Sequence, residues 1–260
     1  MNLPIFFENE NLVIVDKPGY LLSVPSRLGK DDPRAVLGLI LQAQLGIQIY
    51  PCHRLDECVS GLIIYAKNPK AHQMVSQYFE KSSIQKTYYA WTSIDPSLKD
   101  NEPELNQSFR WESRLTKGKR RAFEDLKHGK DCLTFASCIE RKAHCLFWAL
   151  SPHTGRSHQL RFELFQHGFP IWGDSLYGSP YAYQASETTS ETTSETTSEI
   201  ALRMVRFDFQ KCPKAQSLGL PAILETTLPQ IPNLPENFDL KSPQTMSPMI
   251  PFQKRKGKYK

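Results

Sequence analysis

The run His53-Arg54-Leu55-Asp56 sets a carboxylate two residues after a guanidinium. It leads through Ser60-Gly61 into the apolar segment Leu62-Ile63-Ile64-Tyr65-Ala66. A lone Asp in a loop ordinarily caps or solvates a turn. Here the turn enters a segment apolar enough for a buried strand. In a site closed to water such a carboxylate could attack an electrophilic carbon or stabilise developing positive charge. Desolvation raises the pKa of a carboxyl group, and a nearby guanidinium opposes that rise. Guanidinium groups occur far downstream, in Thr154-Gly155-Arg156-Ser157-His158-Gln159-Leu160-Arg161. A third polar cluster follows, Ile171-Trp172-Gly173-Asp174-Ser175-Leu176-Tyr177-Gly178.

The elements that must position these groups can be read from the pattern. Residues 5–7 and 12–15 predict two short strands joined by a polar turn. Arg34 to Leu45 has helical spacing and stops at Gly46, with Val36, Leu37, Ile40 and Leu41 as core positions. Asn68 reads as an N-cap with Pro69 at the first helical position of a helix to about Glu80. Met74, Val75, Tyr78 and Phe79 would face inward. Gln85 to Thr92 is β-branched and aromatic, a strand in which Tyr88 and Tyr89 point to opposite faces. Asp95 to Asn106 reads as a loop. Lys117-Gly118-Lys119-Arg120-Arg121 is expected at a hairpin tip, where it could touch phosphates. Residues 132–141 and 143–150 alternate as paired strands. Ser157 to Gln166 predicts a helix with His158, Arg161, Phe162 and Phe165 on one face. Residues 200–209 resume strand character. Glu187 to Glu199 repeats Glu-Thr-Thr-Ser without an apolar residue, and is expected to be a mobile surface loop. The organisation expected is a catalytic domain over 1–212 and a poorly patterned basic extension over 213–260, ending in a disordered cationic tail.

The chain has 260 residues, is 40% hydrophobic and carries a formal charge of +5. That is enough for a sizeable core, with a mild bias compatible with a polyanionic partner. None of the six cysteines forms a Cys-x-x-Cys pair, so a structural zinc site is not expected. No leader pattern opens the chain, and no apolar run approaches membrane-spanning length. The expectation is a cytoplasmic protein with reduced thiols, no metal and no cofactor.

Taken together, the three clusters resemble the RluA-type pseudouridine synthases. The signature of that family reads His-Arg-Leu-Asp, Ser-Gly-Leu, Gly-Arg-(Thr/Ser)-His-Gln-(Ile/Leu)-Arg and Gly-Asp-x-x-Tyr-Gly. The resemblance covers roughly residues 5 to 210. It implies a mixed α/β (α+β) fold with a central, mostly antiparallel sheet flanked by helices and split by a cleft. It implies isomerisation of uridine in structured RNA, ribosomal or transfer RNA, by a monomer that uses neither DNA nor membrane. Asp56 would be the catalytic carboxylate and Arg161 its cationic partner. Tyr88, in the Lys-x-Tyr-x-Ala position, would lie against the base. Arg54 would fill the space left by the flipped nucleotide or hold a phosphate. His53 would support the turn by hydrogen bonding, with Asp174 and Tyr177 bracing the site, and Leu202 falls at another of the family's positions.

Some positions depart from that pattern. Val59 stands where Thr is common, Phe162-Glu163 replaces Val-His, and Leu202-Arg203-Met204 replaces Leu-His-Ala. These leave two alternatives open: the same fold kept as an RNA-binding module without turnover, and an RNA glycosidase or nuclease using Asp56 with His53 or His158.

Overall fold

The computed structural model describes residues 2–93, 103–142, 145–181, 183 and 199–226. The first part of the chain forms β1 (Ile5–Glu8), β2 (Leu12–Lys17), α1 (Leu37–Leu45), β3 (Tyr50–Pro51), β4 (Ser60–Ala66) and α2 (Pro69–Glu80). Next come β5 (Gln85–Ser93), β6 (Ser108–Lys117), β7 (Ala122–Glu124), β8 (Lys130–Lys142) and β9 (Cys145–Pro152). The last are α3 (Gln159–Gln166), β10 (Leu202–Asp208) and β11 (Ile223–Glu225). The described strands form a single sheet ordered β1-β2-β4-β10-β5-β9-β8-β6-β7, with β3 on β4 and β11 on β10. Among the described strands only β4 and β10 pair in parallel, so the expected mostly antiparallel mixed sheet is what the chain adopts.

β4 is buried along its whole length because both faces of the sheet are covered. Val13, Val15, Ile63 and Tyr65 pack with Leu37 and Leu41 of α1. The alternate residues Leu12, Ile14, Leu62 and Ile64 join Ala71, Val75 and Tyr78 of α2 in the main core. This two-sided burial explains the continuous apolar run in the sequence. Each such side chain contributes about 1.5–3 kcal/mol. Asn68 caps α2 by accepting a hydrogen bond from the Ala71 amide at 2.9 Å, in accord with the sequence reading.

α1 begins three residues later than expected, at Leu37 rather than Arg34. The Leu22 amide donates to the Ala35 carbonyl at 3.0 Å, and the Leu37 amide donates to the Leu22 carbonyl at 2.8 Å. This isolated bridge holds Val36 extended against Leu22, which follows β2. α3 likewise begins at Gln159, because His158 adopts a left-handed conformation at φ 55°. The boundary expected after Cys212 falls short of the packed body: Ala215, Leu218 and Leu220 are buried, and β11 pairs with β10 through Glu225. Most of the 95–106 loop, Glu187–Ser198 of the repeat, residues 143–144 and the cationic tail lie outside the described residues. Glu199, the last residue of the repeat, is half-buried against Gly19, where a Cβ would come within 2.2 Å of the Glu199 Cγ. No helix among the described residues is long and apolar enough to cross a membrane.

Candidate active site

The turn carrying Asp56 is held on several sides. Ser23 Oγ donates to the Leu55 carbonyl at 2.8 Å and accepts from the Leu55 amide at 3.0 Å. Lys17, fully buried, donates from Nζ to the carbonyls of Glu57 at 2.9 Å and Pro18 at 2.8 Å. His53 Nε2 accepts from the Ile64 amide at 3.1 Å, tying the turn to β4. The His53 ring packs on Phe79 and Phe207, with centroids 4.5 and 5.3 Å away. Burial and the Lys86 charge push its pKa down to about 3, so His53 is neutral and its acceptor nitrogen is occupied. At the end of the turn Gly61 lies at φ 113°, and a Cβ there would meet the Met204 carbonyl oxygen at 2.1 Å. Only glycine allows β10 to approach β4 so closely.

α3 delivers Arg161 beneath Asp56. The guanidinium forms a fork on Asp174, with Nε to Oδ2 at 2.6 Å and Nη2 to Oδ1 at 2.8 Å. Its remaining nitrogen, Nη1, lies 3.6 Å from Asp56 Oδ2. The expected Asp56–Arg161 proximity is present, but the fork is committed to Asp174, and Asp56 receives a Coulombic contact at longer range. Asp174 is 1% exposed and Arg161 6%, a burial tolerated only by such a paired charge. Burial works against the Arg161 charge, but the Asp174 hydrogen bonds and surrounding anions outweigh it and raise its pKa further. His158 Nε2 stands 3.9 Å from Asp56 Oδ2, and its Nδ1 lies 3.2 Å from the Tyr177 hydroxyl. That hydroxyl accepts from the Ala122 amide at 2.8 Å. Burial holds the His158 imidazole below its ordinary pKa, with the Asp56 charge opposing.

Strand register completes the site. Tyr88 pairs with Leu150 and Met204, and lines the cleft. Tyr89, one residue on, stacks on Phe147 at 5.1 Å on the opposite face. Burial and the Asp56 charge push the Tyr88 hydroxyl above its usual range, so it remains a protonated phenol. One cavity of about 430 Å³ is lined by Asp56, Arg54, Tyr88, Arg161, His53 and Leu202, all six residues singled out in the sequence. Arg54 is exposed at its rim, and Leu202 is 3% exposed in its wall.

Comparison with known proteins fits this arrangement. The family model for RNA pseudouridylate synthase matches residues 11–167. The chain is 31% identical over 187 residues to the dual-specificity RNA pseudouridine synthase RluA of Vibrio cholerae, covering 71% of this chain and 72% of that one. It is 29% identical to tRNA pseudouridine synthase C of Pasteurella multocida, covering 72% and 79%. The chain belongs to the RNA pseudouridylate synthase family. It is an isomerase that forms pseudouridine in RNA. The solved structure of human RNA Pseudouridylate Synthase Domain Containing 1 shares its fold, with a TM-score of 0.61 at 20% identity over 88% of this chain and 83% of that chain.

Two features of this synthase escaped sequence reasoning. Lys17 and Ser23 hold the Asp56 turn, yet nothing in their local pattern signals contact with residues about 40 and 32 positions away. Lys86 lines the cleft, and burial lowers its pKa to about 8. Its place two residues before Tyr88 on an alternating strand was the available signal. The departure at Glu163 also has a structural counterpart. This carboxyl is 1% exposed, accepts from Ser113 Oγ at 3.1 Å, and has no partner for Oε2 among the described residues.

Proposed function

We propose that the synthase acts on a uridine in structured ribosomal or transfer RNA, with Asp56 as the reacting carboxylate. The carrying observation is that residues far apart in sequence converge on one cavity, with the Asp56 carboxylate 3.6 Å from a guanidinium it does not monopolise. The reaction breaks the bond from uracil N1 to the sugar. The base then turns, bonds to the sugar through C5, and loses the C5 proton to water. Asp56 attacks the sugar or stabilises its positive charge as the first bond breaks. Arg161 sets a positive charge 3.6 Å from that carboxylate, while its fork on Asp174 prevents it from closing over Asp56 and displacing substrate. Tyr88 forms a wall against which uracil stacks. Its hydroxyl offers a hydrogen bond to the turning base and is placed to help with proton removal. Leu202 closes the apolar side, and Arg54 at the rim takes the space or phosphate of the extruded nucleotide. His53 supports the turn.

The glycosidase or nuclease alternative pairs Asp56 with His53 or His158. His53 Nε2 already accepts the Ile64 amide, which disfavours His53 in that role and leaves His158. We place the enzyme in the cytoplasm as a monomer acting on RNA, with neither DNA nor membrane as a partner. The test uses transfer and ribosomal RNA carrying tritium at uridine C5. Release of label into water with the strand intact is the expected result. Binding without release would reduce the chain to an RNA-binding module, and shortened RNA would make it a nuclease.

A further inference from the structure

Beside the catalytic cleft lies a second cavity, of about 410 Å³, that uridine chemistry does not use. Its cationic walls are Lys117, Lys130 and Arg156, with the His128 imidazole beside them. Gly155 and Arg156 line both cavities, so the two are neighbours across one short saddle. The saddle carries no side chain at Gly155. The nearest atom to a Cβ built there would be Lys86 Nζ, 3.7 Å away on the cleft side.

The fold fixes these charges in place. β6 and β7 close a tight hairpin, with the Gly118 amide donating to the Arg121 carbonyl at 2.9 Å. Lys117 pairs with Ala122 across the hairpin, and Lys130 pairs with Leu115 on the other side of β6. Arg156 is steadied by Nε donating to the Asp131 carbonyl at 3.3 Å. Of the nearby acids, Asp125 accepts the amides of Lys127 and His128 and lies 3.6 Å from the His128 ring nitrogen, so it faces that wall, while Asp131 pairs with Arg114 at 3.1 Å. Exposed lysines on a convex surface are ordinarily just solvated. Cations gathered around a concavity repel one another and need an anion to balance them.

We propose that this cavity holds backbone phosphates of the RNA strand flanking the target uridine, after that strand crosses the Gly155 saddle. This rests on the reading of the chain as an enzyme of RNA. The contacts would fix register without reading sequence. Each neutralised phosphate contributes a slope of about 0.7 (single strand) to 0.9 (duplex) in the logarithm of affinity against the logarithm of salt.

The test measures fluorescence anisotropy of a fluorescein-labelled RNA hairpin with uridines in its loop, across a salt series. Wild type is compared with the double variant Lys117→Ala/Lys130→Ala, whose side chains are exposed and whose loss should not disturb folding. A control, Lys70→Ala/Lys211→Ala, removes the same charge from exposed positions outside both cavities. The expected result is roughly tenfold weaker binding near physiological salt, with a salt slope shallower by about 1.4–1.8, for the first variant only. Unchanged affinity and slope, or an equal loss in the control, would overturn the proposal. Tritium release on the same preparations keeps the two readings separate. An enzyme that binds through this cavity without releasing label contradicts the isomerase reading alone. One that turns over with an unaltered salt slope contradicts the cavity alone.

Discussion

Arg161 serves two carboxylates, and the difference between them shapes the site. Asp174 takes the fork, whereas Asp56 sits 3.6 Å from the third nitrogen, beyond hydrogen-bond length. Asp56 therefore keeps its lone pairs out of the fork while remaining next to a permanent positive charge. Lysine could not reproduce this geometry, because a point charge cannot make the fork and also face Asp56. Arg161→Lys should lower turnover by about 100-fold. It should also destabilise the fold by about 3 kcal/mol, since Asp174 is left partly unpaired in the interior. Near-normal turnover with an unchanged melting temperature would refute the shared-cation account. Glu163 makes a second case at this scale. Burial raises its carboxyl to about 7 from an ordinary 4.5, against opposing hydrogen bonds from Thr134 and Ser113. Between those values the folded state binds more protons than the unfolded state, so stability falls as pH rises through that window. Glu163→Gln removes this dependence. Its melting temperature relative to wild type should climb from pH 5 to pH 8, by the equivalent of up to about 3 kcal/mol, and a flat difference would contradict the assignment.

Elements differ in how openly the sequence announces them, according to how local their determinants are. The α2 start is legible because cap, proline and amphipathic spacing are contiguous: Asn68 accepts from an amide three residues on. Asn68→Ala should cost about 1 kcal/mol, seen as a fall of about 2–4 °C in the melting temperature, with kcat retained. A change in kcat instead would tie α2 to the chemistry. The starts of α1 and α3 were placed too early, for nonlocal reasons. Residues 35–36 are drawn into a bridge with Leu22, and His158 takes a left-handed turn that lets its ring reach both Tyr177 and Asp56. Helix propensity carries no information about either partner. The Tyr88/Tyr89 split was readable because a strand alternates by geometry alone.

At the scale of the molecule, the cleft exists because β4 and β10 meet in parallel at Gly61. That seam brings the Asp56 turn, the Leu202 strand end and the Tyr88 strand together, and α3 closes the site from below. The sequence named six of the side chains lining the cleft through its motifs, but it could not show how Arg161 divides its hydrogen bonds. It also could not show that Lys17, with the carbonyls of Pro18 and Glu57, underpins the turn. Those facts depend on where distant loops come to rest. The same holds for the body's extent past Cys212, since β11 is too short to be recognised without its partner β10. The central proposal is that this assembly presents the Asp56 carboxylate to a flipped uridine. Asp56→Asn keeps the size and shape of that side chain and removes its charge. Tritium release from C5-labelled RNA should fall below about one-thousandth of the wild-type rate, while affinity for the RNA stays within a few-fold. Release at or near the wild-type rate would show that the chemistry lies elsewhere.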